Sequence, residues 1–413
     1  MPVVLVGTLD TKGTEFAFVR DLLHLQGLAT LVVDAGSLGP PTFPPDVPRE
    51  QVFQAAGTTF NEIRAHADRG EAVAAAARGA AIVLQSLASR GRVQGVLGLG
   101  GSAGTVIGTA AMRALPFGLP KVMVSTLASG QTRPYVAGSD ILMMYPVADL
   151  AGLNRITRAS LTNAALALAG MVNPRSTPPP SPADRPLVAA TMFGVTTPCV
   201  DHARRILESN GLEIVVFHTT GVGGQSMEGL VRDGQLAGLL DLTTTELADE
   251  LVGGILSAGP HRLEAAINAR IPQVVSLGAL DMVNFGPRET VPDRFANRLF
   301  YNHNPSVTLM RTTPEENAAL GQGIARVLAQ ATAPLVLMIP LKGLSALDAP
   351  NAPFYNPTAN RALFSALNQA LANHPFVRLQ SRDEHINDPS FAQAAAENLL
   401  ALMGTSSHPL THP

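Results

Sequence analysis

The sequence predicts two Rossmann-like α/β domains, each with a doubly wound and mostly parallel sheet, joined by a proline-rich linker. Apolar runs such as residues 3–9 show no polar alternation, which is typical of parallel strands covered on both faces. Helical stretches alternate with these runs, as in right-handed βαβ units. The prolines of residues 173–186 exclude a helix or a central strand there. The predicted parts are an N-terminal domain at 1–174, the linker at 175–186, a C-terminal domain at 187–405 and a tail at 406–413.

Composition narrows the classes of protein. With 46% hydrophobic and 15% charged residues, the chain can bury large cores, which excludes a disordered protein. A net charge of −3 argues against a dedicated nucleic-acid binder, and a single cysteine excludes a disulfide framework or a Cys-based zinc site. The short apolar run at the N-terminus lacks a preceding basic region, and no apolar stretch approaches ~18 residues. We therefore expect a cytoplasmic protein whose partner is a small molecule, with neither nucleic acid nor membrane bound.

The predicted elements of the first half follow one another as strand and helix. A strand at residues 3–9 precedes a helix at 14–27, which ends at Gly27. The proline-rich loop after the second strand leads into helices that extend to about Ser89, and an Ala-rich helix at 155–172 closes the half. The further predicted strands are 28–36, 95–100, 121–126 and 140–146.

The second half repeats this pattern. A strand at 186–194 precedes a helix that extends to about Asn210. Further strand-to-loop junctions are predicted at 212–221, 236–244, 271–280, 306–313 and 333–343. Because ligands of open α/β sheets gather outside the carboxyl ends of the strands, the loops at these ends are the candidate sites.

The first candidate loop reads G-T-L-D-T-K-G-T-E, at residues 7–15. Thr14 is the predicted helix N-cap, and Lys12 is one of only three lysines in the chain. A lysine beside free N–H groups at a helix start forms a natural phosphate or carboxylate site, to which Gly13 would contribute. Asp10 would hold Mg²⁺ or orient Lys12. The alternative is an ordinary capped turn with a solvated ion pair; the Walker A order is absent.

The second candidate loop, G-L-G-G-S-A-G-T at residues 98–105, separates a strand from a helix. Its loose G-x-G-x-x-A pattern follows the third strand rather than the first, so it supports an NAD fingerprint only weakly. Glycines let the backbone approach an anion, and the helix dipole favours negative charge. Gly100, Gly101 and Ser102 are therefore predicted to cradle a phosphate; the alternative is close packing of helix on strand.

Three more residues at strand ends are predicted to line the same crevice. Asp34 ends the second strand, where a carboxylate often accepts from a ribose hydroxyl, although a turn-forming aspartate is an equal alternative. Thr126 and Ser129 follow the fourth strand.

Polar side chains at the strand ends of the second half suggest general acid–base chemistry on a small anion. Neither an H-E-x-x-H nor a G-x-S-x-G motif is present, and no metal follows from the sequence. His218, Asp241 and His303 would share a metal only if the fold brings them together. Buried structural polar groups are the alternative. The catalytic candidates are His218, Asp281, His303 and Lys342, and the substrate-binding candidates are Thr219, Thr220, Gly221, Asp241, Asn284 and Arg311.

A family resemblance rests on the strings GTLDTKGTE, GLGGSAGT, VSTLASG, HTTGVGGQSME and SLGALDMVNFG. Together they resemble the family that contains the N-terminal ATP-binding region of the tomato mosaic virus resistance protein and bacterial and fungal proteins of unassigned activity. The likeness covers residues 2–402. It implies two Rossmann-like subdomains, ATP binding at the Gly-rich loops and Lys12, and a homodimer. The antiviral role of the plant protein is not carried over to this chain, because the resemblance covers only the N-terminal region of that protein.

Three functions follow as hypotheses. The first is an ATP-binding metabolic enzyme, with or without Mg²⁺, whose site lies in the cleft between the domains. The second is a nucleotide-independent lyase or hydrolase that acts on a small carboxylate or carbonyl compound through the His, Asp and Lys groups of the C-terminal domain, with a lysine Schiff base as one route. The third is a non-catalytic protein-binding module, which requires an exposed apolar patch.

Overall fold

The computed structural model describes residues 1–130, 132–173 and 185–405. The predicted tail and residues 175–184 of the predicted linker therefore lie outside the described residues. The chain divides into two compact units, Met1–Ser181 and Pro182–Pro413.

The first unit is built on a parallel sheet of five strands in the order β2-β1-β3-β4-β5. The strands are β1 (Val3–Gly7), β2 (Thr30–Asp34), β3 (Gly95–Gly100), β4 (Lys121–Ser125) and β5 (Leu142–Met144). The helices are α1 (Leu9–Leu25), α2 (Arg49–Ala55), α3 (Phe60–His66), α4 (Arg69–Ser89), α5 (Ser102–Arg113), α6 (Arg133–Val136) and α7 (Arg155–Val172). Hydrophobic cores lie on both faces of the sheet, which is why β1, β3 and β4 are buried along their whole length.

Helix α1 begins earlier than the sequence predicts. The N-cap is Thr8, not Thr14, because the N–H groups of Thr11 and Lys12 both bond to the carbonyl of Thr8, at 3.3 and 2.9 Å. Lys12 then leaves the helical region, with φ −129° and ψ 16°, before the helix continues. Asp10 and Lys12 thus lie on a separate first turn of α1 rather than in a loop.

Helix α4 is the one helix of the described residues that is long and apolar enough, by length and composition alone, to cross a membrane. In the fold it is a core helix, with seven buried residues that include Ala72, Ala76 and Gly79. A Cβ at Gly79 would lie 1.9 Å from the carbonyl oxygen of Val52, so α2 and α4 are in backbone contact there.

In the described residues of the second unit, 185–405, nine strands form two sheets. They are β6 (Leu187–Met192), β7 (Glu213–His218), β8 (Gly238–Thr243), β9 (Gln273–Gly278), β10 (Met282–Phe285), β11 (Phe300–Asn304), β12 (Val307–Arg311), β13 (Leu335–Pro340) and β14 (Val377–Arg382). Six form a parallel sheet in the order β14-β13-β9-β8-β6-β7, and three form an antiparallel sheet in the order β10-β12-β11. The helices are α8 (Thr197–Ser209), α9 (Val222–Arg232), α10 (Glu246–Val252), α11 (Glu264–Ala269), α12 (Pro314–Leu328), α13 (Pro357–Leu371) and α14 (Pro389–Thr405).

The predicted fold class, two Rossmann-like α/β parts with mostly parallel sheets, is confirmed. Two details differ. The strand predicted at 306–313 is β12, which lies in the small antiparallel sheet and not in the parallel sheet. It pairs there with β10, which follows β9 after a short turn. The strands β10, β11 and β14 were not predicted; in β14 only Val377 is fully buried and four of the six residues are polar, so the segment lacks an apolar strand pattern.

Candidate functional site

A cavity of about 290 Å³ lies in the N-terminal unit, where β1 and β3 end side by side and α1 and α5 begin. The segments that form its walls are distant in the sequence and become neighbours because β1 pairs with β3 in the sheet. The lining residues are Thr8, Asp10, Thr11, Lys12, Ala35, Ser37, Leu38, Arg69, Ala72, Val73, Ala76, Gly100, Gly101, Ser102, Ala103, Gly104, Ile107 and Asp149.

The start of α5 gives this cavity the geometry of an anion site. Gly101 is the N-cap and supplies no side-chain cap, and the first bond of the helix runs from the N–H of Thr105 to the carbonyl of Gly101, at 2.8 Å. The N–H groups of residues 102–104 precede that bond and therefore have no partner within α5, and these three residues line the cavity. Gly100 has a φ of +155°, and a Cβ there would lie 3.0 Å from the Cα of Gly104. Glycine is thus required for the tight entry into α5.

Two cations line the same cavity. Lys12 is half-buried and Arg69, the first residue of α4, is exposed. Among the residues that the structure describes, neither forms an ion pair with a carboxylate, while the exposed Asp149 lies elsewhere on the cavity wall. The cavity therefore combines an uncapped helix start with two cations that lack protein counter-ions, which favours an anionic ligand.

Asp10 lies on the cavity wall with its side chain 2% exposed. Its Oδ2 accepts from the N–H groups of Leu38 and Gly39, at 2.7 and 3.3 Å, and lies 3.6 Å from Nη1 of Arg49. Its Oδ1 is buried and has no hydrogen-bond partner in the described chain. A Cβ at Gly36 would lie 2.7 Å from either carboxylate oxygen, so the loop closes directly over Asp10.

Asp34 is not a ligand-facing residue, which corrects the predicted ribose contact. It is fully buried and does not line the cavity. Its Oδ1 accepts from the N–H groups of Leu9 and Gly36, both at 3.0 Å. Its Oδ2 accepts from Nε of Arg49, at 2.7 Å, and forms an ion pair with Nη2 of the same guanidinium, also at 2.7 Å. These four interactions occupy the carboxylate, so Asp34 fixes the start of α1 and the loop after β2.

Gly13, Thr126 and Ser129 are also placed away from the cavity lining. A Cβ at Gly13 would lie 2.3 Å from Oγ1 of Thr42, so this glycine is required for packing. Thr126 lies beside the loop and donates its N–H to the carbonyl of Gly100, at 3.3 Å. Ser129 is exposed. Asp10, Lys12, Gly100, Gly101 and Ser102 remain the predicted residues that the fold brings to one cavity.

In the C-terminal unit, a carboxylate of the protein already occupies the Gly-rich helix start. Oε1 of Glu246 accepts from the N–H groups of Gly221 and Gly224 at the start of α9, at 2.7 and 3.0 Å. A Cβ at Gly224 would lie 2.1 Å from Oε2 of Glu246. Thr219 is buried and bonds to the end of β6, while the N–H of Thr220 bonds to the carbonyl of His218, at 2.8 Å. The predicted substrate site at Thr219, Thr220 and Gly221 is therefore closed.

Asp241 belongs to a buried network around Arg262, which corrects its predicted contact with substrate. Arg262 donates to both carboxylate oxygens of Asp241, at 2.6 and 2.7 Å, and to Glu246, at 2.9 Å. A third carboxylate, Glu228, lies 3.4 Å from the guanidinium and also accepts two backbone N–H groups. Burial raises the pKa of Glu228 and of Glu246, and the charge of Arg262 opposes that rise.

Asp281 and Arg311 do meet, in a second buried cluster. Oδ2 of Asp281 accepts from Ser345, at 2.8 Å, and Oδ1 has no hydrogen-bond partner in the described residues. Arg311 is held by the carbonyls of Phe354 and Asp281 and lies 3.5 Å from Asp348. Burial, and then the nearby charge of Asp348, raise the pKa of Asp281 to about 7. Both residues are almost fully buried, so the cluster supports the fold.

The predicted catalytic set does not form one site. His218 ends the edge strand β7 and Lys342 follows β13, so four strand spacings separate them in the sheet, about 19 Å. Lys342 is exposed and pairs with Asp383 at 3.0 Å, and His303 is exposed on β11. Partial burial lowers the pKa of His218, whose ring lies 5.2 Å from that of Phe193.

Asn284 also has a structural role, since it holds a buried carboxylate. Its N–H and its side-chain amide donate to Asp249, at 3.0 and 2.6 Å. Burial raises the pKa of Asp249 to about 7.

Arg69, Ser37 and the apolar residues of α4 line the cavity but were not predicted from the sequence. Arg69 follows Asp68, whose side chain caps α4 by accepting from the N–H of Glu71, at 3.0 Å. That N-cap signal is visible in the sequence and would have placed Arg69 at a helix start. It would not have shown that this helix start lies at the same cavity as the starts of α1 and α5.

Comparison with known families covers both units. The model of the Uncharacterised protein family (UPF0261) N-terminal domain matches residues 1–177, and that of its C-terminal domain matches residues 185–403. The chain belongs to the UPF0261 family. A UPF0261 protein of Clostridium tetani is 48% identical over 401 residues, which cover 97% of this chain and 98% of that protein. A UPF0261 protein of Rhizobium meliloti is 46% identical, with 95% and 97% covered.

A plant relative is longer than this UPF0261 chain. The ToMV resistance protein Tm-1(GCR237) of Solanum lycopersicum is 39% identical over 98% of this chain, which corresponds to 56% of the plant protein. Among solved structures, glycosyltransferase SsfS6 of Streptomyces sp. SF2575 aligns with 98% of this chain and 96% of its own, at 13% identity and a TM-score of 0.18, which supports no argument.

Proposed function

We propose that the N-terminal unit binds a nucleotide, ATP in the first instance, with its phosphates at the start of α5. The observation that carries this proposal is the uncapped N-terminus of α5 beside the unpaired ammonium of Lys12 in one cavity. Free N–H groups, the positive end of the helix dipole and a lysine all stabilise a phosphate. Arg69 supplies a second positive charge for a polyphosphate.

The apolar residues of the cavity lining favour a ligand with an apolar part. Ala72, Val73 and Ala76 of α4 face the cavity, and Ile107 of α5 completes this wall. Residues 69 to 76 extend about 10 Å along the axis of α4, which is enough for a nucleobase and a ribose. The cavity volume, about 290 Å³, lies at the lower end of the range for small-molecule sites. An anionic end and an apolar wall together match a nucleotide better than a simple phosphate.

Mg²⁺ would arrive with the phosphates. In the described part of the chain no group of three or more His, Cys, Asp or Glu side chains can hold a metal ion alone. Mg²⁺ is commonly bound through one carboxylate and the phosphate oxygens, and Asp10 is a buried carboxylate on the cavity wall with one unpartnered oxygen. Because Gly36 lies against that carboxylate, direct coordination requires the loop of residues 36–39 to shift.

The test is calorimetric titration of ATP, with and without Mg²⁺, into the wild type, Lys12→Ala and Lys342→Ala. We expect micromolar binding that Lys12→Ala weakens by tenfold or more, about 1.4 kcal/mol, and that Lys342→Ala leaves unchanged. Lys342 is a matched control because it is an exposed lysine of the other unit. Absence of heat and of a thermal shift with any nucleotide would refute the proposed function.

A further inference from the structure

The part of the cavity lining that remains for a base is apolar. The polar residues at the start of α1 and α5 are used by the phosphates in the proposed function, on which this inference rests. The apolar part of the lining comes from the side chains of Ala35, Leu38, Ala72, Val73, Ala76 and Ile107. None of these side chains has a hydrogen-bond donor or acceptor, and the backbone groups of helical residues are used within α4 and α5.

The remaining polar side chains on the cavity wall are poorly placed to read a base. Arg69 is assigned to the phosphates in the proposed function; of the others, Ser37 is half-buried and Asp149 is exposed. The hydroxyl groups of Thr8 and Thr11 bond to each other, at 2.7 Å, and the carboxylate of Asp10 lies against Gly36. Discrimination between bases requires buried polar groups, because these lose free energy when the wrong base leaves them unpaired. An exposed polar group forms a hydrogen bond with water instead and loses little. An apolar wall favours any flat ring that it can cover.

We propose that this cavity is a nucleoside triphosphate site that does not select the base. The phosphates determine where the ligand binds, and the apolar wall of α4 adds affinity for the base without distinguishing adenine, guanine, cytosine and uracil. The ligand class is therefore any nucleoside triphosphate. Inorganic tripolyphosphate, which has no base or ribose, binds at the phosphate end alone.

The experiment compares ATP, GTP, CTP, UTP and tripolyphosphate by calorimetric titration under one set of salt and Mg²⁺ conditions. We expect the four nucleotides to have dissociation constants within about tenfold of one another. Tripolyphosphate is expected to bind at least about tenfold more weakly than ATP.

Val73→Ala tests the wall directly, because Val73 is a half-buried residue of α4 that lines the cavity. We expect it to weaken all four nucleotides by a similar factor, about three- to tenfold, and to leave tripolyphosphate unchanged. Val83→Ala is the matched control, a half-buried valine of the same helix outside the cavity lining, and it should alter none of the ligands.

The outcomes separate this inference from the proposed function. Selection of one base by more than about a hundredfold would overturn the inference and leave nucleotide binding intact. Equal binding of tripolyphosphate and ATP, or no effect of Val73→Ala, would overturn the role of the apolar wall. If neither a nucleotide nor tripolyphosphate binds, the proposed function and the inference both fail.

Discussion

Replacing Asp281 by asparagine removes an ionisable carboxyl group that is buried in the turn between β9 and β10. Asp281 shares its surroundings with Asp348 and the guanidinium of Arg311, so two carboxylates face one cation. Asparagine keeps an oxygen to accept from Ser345 and places an amide nitrogen where the unpartnered Oδ1 stands. The variant thus changes charge with little change in shape.

The free energy of unfolding of the wild type should fall as pH rises through the range set by this group. The pKa of Asp281 is raised from 3.8 to about 7, so between these values the folded state retains a proton that the unfolded state has lost. The contribution of Asp281 to the free energy of unfolding is therefore fully present below about pH 4 and is smaller by roughly 4 kcal/mol at pH 7. The new amide N–H₂ without an acceptor costs about 1–3 kcal/mol at every pH. Asp281→Asn should be less stable than the wild type near pH 4, by roughly 0.5–2 kcal/mol, and more stable at pH 8, by roughly 1–3 kcal/mol.

Hydrogen exchange followed by mass spectrometry measures this effect on peptides from β9 and β13. Wild type and variant are compared at the same pH, so that changes in intrinsic exchange rate cancel. Asp293→Asn serves as the control, since Asp293 is an exposed carboxylate of the same unit and should show no change of sign. A difference between Asp281→Asn and the wild type that keeps one sign from pH 4 to pH 8 would refute the raised pKa.

The remaining predictions concern the buried network, helix packing and the revised catalytic set. Arg262→Met should destabilise the C-terminal unit by about 3–5 kcal/mol in thermal unfolding, because three buried carboxylates lose their cation; a loss below about 1 kcal/mol would contradict the network. Gly79→Ala should lower the free energy of unfolding by about 1–3 kcal/mol, since the new Cβ would lie 1.9 Å from the carbonyl oxygen of Val52. Gly323→Ala on α12 is the control; it has open space around it and should be neutral or stabilising by up to about 1 kcal/mol. His303→Ala should leave ATP binding and the melting temperature unchanged, because His303 is an exposed residue of the other unit, and any marked loss would restore it as a site residue.

The strand pattern and the Gly-rich loop could be predicted from the sequence because their causes are local. A strand such as β3 is buried on both faces, so apolar residues fill it without alternation, and the helix α5 follows at once. Lys12 and Ser102 belong to strand ends that a parallel sheet places side by side, so their convergence in one cavity followed from topology alone.

Charge partners decided what the sequence could not. Asp34 lies at a strand end, where a carboxylate can bind a ligand, but Arg49 occupies its carboxylate. The N–H groups of Gly221 and Gly224 lie at a helix start, where an anionic ligand can bind, but they bind the carboxylate of Glu246. In the sequence, 15 residues separate Asp34 from Arg49 and 25 separate Gly221 from Glu246, and no local pattern reports such a pairing. A helix start attracts any anion, from the protein or from a ligand, so the sequence determines that an anion site exists. Only the tertiary structure decides whether the protein's own carboxylate fills it, as in the C-terminal unit, or leaves it open, as at α5.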